Sequence, residues 1–140
     1  MASVTSIGFT PTTQRCQGYP FGDCVRASYA TLLDLPFESV PRFDPAALLP
    51  GESQRARERA WLATRGLDLF EISTMPDELP EDILGAMPEA AHLISGLSPR
   101  GFGHRCVGYA GQVVFDPHPS RAGLTKVWSV GLIVPRGSVQ

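Results

Sequence analysis

Fourteen glycines and thirteen prolines interrupt this 140-residue chain, so it is expected to fold into short elements joined by many turns. Between Asp23 and Pro36, Val25, Tyr29, Leu32 and Leu33 recur at spacings of three and four, with Ala27 and Ala30 filling the gaps. That periodicity predicts a helix over 24–34, with Asp23 as N-cap and Pro36 as the stop. Asp44-Pro45 opens a short capped turn. Ser53 can cap a second helix reaching Arg65 and closed by Gly66. Its Ala56, Ala60 and Ala63 read as one face beside Trp61 or Leu62, while Arg55, Arg57, Glu58 and Arg59 read as solvated.

The second half changes period. Leu67–Ile72 alternates as a strand does, and Ala91–Leu97, His104–Tyr109, Gln112–Asp116 and Val127–Pro135 follow as further strands. Pro76 to Pro88 reads as turn-rich, with one helical turn over Glu81–Leu84. Helices first and an antiparallel sheet after is the α+β order. Length sets one domain over 1–140, with residues 1–20 as an extended N-terminal arm.

A formal charge of −2 argues against a broad nucleic-acid footprint, and no apolar run approaches the roughly 20 residues that cross a bilayer. The expectation is therefore no nucleic-acid and no membrane partner. Three cysteines cannot all pair within the chain, and the start Met-Ala-Ser-Val-Thr lacks the pattern of a secretory signal. A reducing cytoplasm with free thiols is the expected setting.

One constellation points to chemistry. Cys24 stands at a helix start, where unsatisfied N–H groups and the positive end of the macrodipole favour thiolate. His104 opens a strand after Pro99-Arg-Gly-Phe-Gly103, and Asp116 closes the next strand. A thiol, an imidazole and a carboxylate are the parts of an activated nucleophile. Taken singly, each has a plainer reading: a small core residue, a strand-edge histidine and an Asp-Pro turn starter. Asp23 opposes the thiolate unless its side chain is engaged elsewhere. Register adds a condition. A three-residue loop over 109–111 sets His104 and Asp116 on one side of the sheet, whereas a two-residue loop sets them on opposite faces. The triad reading thus predicts an odd loop or a bulge.

Gly22-Asp23-Cys24 with Ala27, Ala30, Leu32-Leu33 and Val40-Pro41 resembles the nucleophile helix of small papain-like proteins of bacteria and phages. Ser98-Pro99-Arg100-Gly101 before His104 matches the second half of that group, as does Asp116-Pro117-His118-Pro119-Ser120 with Gly123-Leu124. The chain is similar to the double-glycine leader peptidase branch of the papain-like thiol peptidases. The resemblance implies a nucleophile helix packed on an antiparallel sheet and a peptide or protein substrate. It implies Cys24 as nucleophile, His104 as base and acid, and Asp116 as orienter. It also implies a glutamine ahead of the nucleophile that binds the oxyanion, for which Gln17 and Gln14 are candidates. Arg100 and His118 are candidate substrate contacts. No metal or organic cofactor is implied.

Two other classes compete. Cys16, Cys24, His104, Cys106 and His118 include enough soft ligands for zinc, although no C-x₂-C knuckle exists. A papain-like shell that binds without catalysis is the other, with Arg100 and the Arg55/Arg57/Arg59 run as partner contacts. Trp61 and Trp128 read as core or cleft wall, and His92 as a strand residue.

Overall fold

The computed structural model describes residues 9–74 and 80–137. Helix α1 runs Cys24–Leu32, and single 3₁₀ turns follow at Phe37–Ser39 and Pro45–Ala47. Helix α2 is Gln54–Ala63, strand β1 is Leu67–Ser73, and a short helix α3 is Pro80–Leu84. Strands β2 (Ala91–Leu97), β3 (Gly103–Tyr109), β4 (Gln112–Phe115) and β5 (Lys126–Pro135) complete the chain. All pairings are antiparallel in the order β1-β5-β2-β3-β4, so the architecture is α+β. The first eight residues of the expected arm, and 75–79 of the turn-rich segment, lie outside the described residues.

Helix α1 packs on β3 and β2, and α2 packs on β1. Val25, Tyr29, Leu32, Val40, Phe43, Leu62, Leu69 and Leu93 form the main core with them. Burying side chains of this size stabilises by about 1.5–3 kcal/mol each. Tyr29, Phe43 and Trp61 meet as three tilted or edge-on pairs with centroids 5.5–5.9 Å apart. Helix α1 ends one turn earlier than Pro36 demands, because Asp34 takes a positive φ of 54°. Ser28 and Thr31 are buried too: Ser28 Oγ donates to the Arg105 carbonyl of β3 at 3.3 Å, and the arm crosses the helix where the Thr12 N–H donates to Thr31 Oγ1 at 2.9 Å.

Helix α2 corrects the expected facing. Ser53 caps it as anticipated, accepting from the Ala56 N–H at 3.1 Å. However, Ala56 and Ala60 are exposed, and the buried stripe is Glu58 with Leu62. Glu58, read as solvated, is fully buried because it meets an arginine that the sheet delivers from below. The Tyr29 hydroxyl donates to Glu58 Oε1 at 2.6 Å, and Arg105 on β3 donates Nη1 to the same oxygen and Nε to Ser95 Oγ.

Candidate active site

Cys24 is the first residue of α1 and is half-buried. Its approach is a closed loop. The Asp23 N–H donates to the Cys16 carbonyl at 3.2 Å, while Asp23 Oδ1 accepts from the Arg15 and Cys16 N–H groups at 2.9 and 3.0 Å. Asp23 therefore stands at the N-cap position without capping. Its carboxylate faces the arm, and the N–H groups of the first helical turn stay open at the sulfur's end. Within the loop, Gly22 N–H meets the Gly18 carbonyl at 2.6 Å, and a Cβ on Gly22 would sit 2.6 Å from that oxygen. Only glycine fits there.

The loop returns the chain upstream of Cys16 to the nucleophile. Gln14 is buried and lines the cavity that holds Cys24, whereas Gln17 is exposed on the loop and does not line it. Gln14 Nε2 donates one hydrogen to the Cys16 carbonyl at 2.7 Å, which leaves its second N–H without an acceptor among the described residues. Of the two candidate glutamines, the geometry places Gln14 at the cleft.

The β3–β4 hairpin has a two-residue loop, Ala110-Gly111, with φ of 52° and 79°. Tyr109 pairs with Gln112 and Gly108 with Val113, but Val107 pairs with Phe115. That bulge restores the parity the loop would have lost, so Asp116 shares a face with His104 and Cys106. His104 Nε2 donates to Asp116 Oδ1 at 2.6 Å. Asp116 also accepts from the His118 N–H (Oδ1, 2.9 Å) and the Gly123 N–H (Oδ2, 2.7 Å). With Nε2 committed to the carboxylate, the ring also meets the sulfurs of Cys106 and Cys24.

Burial is the largest single influence and opposes a charge on His104, but the hydrogen bond to Asp116 and the contributions of the Cys106 and Cys24 sulfurs together outweigh it. The ring is pushed up to about 11 and stays protonated at neutral pH. Burial also works against the Asp116 carboxylate, yet its three N–H donors hold it down at about 2. Cys106 is fully buried, and burial pushes its thiol up, so it is neutral packing beside the ring. Cys16 is exposed on the loop.

Stability should carry the signature of this pair. A histidine raised from 6.5 to about 11 contributes fully below pH 6.5 and loses that contribution as pH rises toward 11. A carboxylate lowered from 3.8 to about 2 contributes fully above 3.8 and loses it as pH falls toward 2. Urea midpoints measured from pH 3 to pH 10 should therefore peak between about 4 and 6.5 and decline on the alkaline side. In His104→Ala the alkaline decline should flatten. An unchanged alkaline slope in the variant would show that the ring is not held charged.

The cavity holding Cys24 and His104 encloses about 580 Å³ between the loop, α2 and the sheet. Arg100 lines it and donates to Ser120 Oγ at 3.1 Å. His118 does not line it: the ring lies edge-on to His104 with centroids 6.2 Å apart, and Nδ1 accepts from the Ser120 N–H. Its backbone N–H supports Asp116. Trp128 forms cavity wall, and Trp61 packs against the core.

Among the described residues, one group has metal-ligand character: His104, Cys106 and Asp116, with donor atoms within 4.8 Å of one another. It excludes Cys16, Cys24 and His118, so the five-residue zinc set is not assembled. The His104–Asp116 hydrogen bond already uses the ring nitrogen and carboxylate oxygen that face each other. Among the described residues no helix is long and apolar enough to cross a membrane.

The sequence reading missed the serines along the cavity floor and the buried pair beneath them. A cue existed for the pair: Arg105 occupies an inward position between two other site residues, and a buried guanidinium requires a counter-ion. Comparison of the chain with known protein families, with curated proteins and with solved structures finds no match.

Proposed function

We propose that the protein is a papain-like cysteine hydrolase acting on an amide, peptide or isopeptide bond. The observation that carries this reading is the hydrogen bond between His104 Nε2 and Asp116, with the ring and Cys24 lining one cavity. In the resting pair the proton of Cys24 already sits on His104, and the sulfur attacks the substrate carbonyl. The oxyanion draws on the Cys24 N–H at the helix start and on the second N–H of Gln14. As the tetrahedral species collapses, His104 returns the proton to the leaving amine and a thioester remains. Water, deprotonated by the same ring, cleaves the thioester and restores the sulfur beside the protonated ring. Asp116 holds the ring's orientation and stabilises its charge.

A neutral electrophilic thiol probe at pH 7 tests the assignment. Cys24 is expected to be labelled well ahead of exposed Cys16, and Cys106 only after unfolding, as read by peptide mass mapping. Labelling led by Cys16 would leave the helix-start thiol with no special reactivity and remove the basis of the proposal.

A further inference from the structure

The cavity has a second polar surface that the bond-breaking step does not use. Ser73 pairs with Ser129, Ser129 with Ser95, and Ser95 with Arg105, which makes one continuous row across β1, β5, β2 and β3. Cross-strand partners stand on the same face, and all four residues line the cavity. Two positions along, Leu93 and Val107 are again buried apolar residues. A sheet face under helices ordinarily stays apolar, so the serine row is a local departure at the cavity floor. Ser98, 1% exposed, also lines the cavity, and its hydroxyl has no hydrogen-bond partner among the described residues.

The charges along the wall are unequal in their partners. Glu71 is held by Arg55 at 2.9 Å, Arg105 by Glu58, and His104 by Asp116. Arg100 meets only the Ser120 hydroxyl and has no carboxylate partner among the described residues. The uncompensated lining charge is therefore positive, and the floor beside it is rich in hydroxyl donors. Tyr19, Phe102 and Trp128, all exposed, stand around the same opening and suit flanking backbone or apolar groups.

We infer that the cavity takes a carboxylate-bearing group of the substrate, held by Arg100 with hydroxyls of Ser95, Ser98 and Ser129. This names the substrate of the proposed reaction and rests on that reading. The carboxylate can come from an acidic side chain or from a free chain end.

Equilibrium binding to the full-length Cys24→Ala variant reads the subsite without the chemistry. The probes are acetyl-Gly-Glu-Gly-amide, its Gln and Lys counterparts, and acetyl-Gly-Gln-Gly with a free C-terminus, followed by calorimetry at pH 7 and low salt. One charge-assisted contact corresponds to roughly tenfold in affinity, so at least one acid-bearing peptide should bind about that much more tightly than the neutral Gln amide. Arg100→Gln in the same background should erase the difference, and Arg65→Gln, outside the cavity, should not. Preference for the side-chain acid or for the free terminus assigns the source, and either supports the inference. Equal affinities, best binding of the Lys peptide, or a preference that survives Arg100→Gln would overturn it. Acid preference in a protein whose wild type cleaves nothing would instead sink the hydrolase reading and leave the subsite standing.

Discussion

Replacing Cys24 with alanine is expected to reduce amide-bond cleavage to the uncatalysed background, because no other thiol can take its place. Cys106 is fully buried and held neutral, and Cys16 lies on the exposed loop. His104→Ala should lower the rate by on the order of 10²–10⁴, the range for loss of a positioned general acid–base. The sulfur and the ring act as one unit, so the double variant should be no slower than Cys24→Ala alone. Asp116→Asn is not a mild change at this site. Its amide would point an N–H at the N–H of either His118 or Gly123, both of which now donate to carboxylate oxygens. The measurement is single-turnover cleavage of a peptide pool, with circular dichroism to confirm that each variant is folded. Cleavage that survives Cys24→Ala, or losses that simply add in the double variant, would remove the thiol from the mechanism.

The parts of this arrangement that sequence made legible are those governed by local periodicity. Val25, Tyr29 and Leu32, bounded by Asp23 and Pro36, define α1 within two residues of its observed end. The strands are equally plain, and the near-continuous apolar run from Val130 to Val134 suits β5, which is flanked by β1 and β2. What could not be read is whatever depends on closure at a distance. Register arithmetic demanded an odd loop or a bulge between His104 and Asp116 but could not choose. The chain uses a two-residue turn and then a bulge at Val107/Gly108. Spacing put Gln17 ahead of Gln14, because the ring of bonds between Cys16 and Asp23 that brings Gln14 back to Cys24 is tertiary. Glu58 was hidden by its company, since an acid among Arg55, Arg57 and Arg59 looks solvated until Arg105 is placed beneath it.

That buried pair supports the site, and Glu58→Ala is expected to cost about 3–5 kcal/mol of folding stability, the usual penalty for stranding one partner of a buried ion pair. Arg105 would keep Ser95 as a hydrogen-bond partner, but its positive charge would have no counter-charge in the core. The Tyr29 hydroxyl would lose its acceptor at the centre of the aromatic cluster. Domains of this size are stable by only about 5–15 kcal/mol, so the variant should unfold at markedly lower urea. Two comparisons separate lost charge from lost packing. Glu58→Gln keeps the shape and one carbonyl acceptor but still leaves Arg105 uncompensated, so it should remain clearly destabilised. The triple change Tyr29→Phe, Glu58→Leu, Arg105→Met removes the acid, the base and the hydroxyl together and should recover much of the loss. A Glu58→Ala cost below about 1 kcal/mol, the range of an exposed pair, would show that Glu58 does not carry the Arg105 charge.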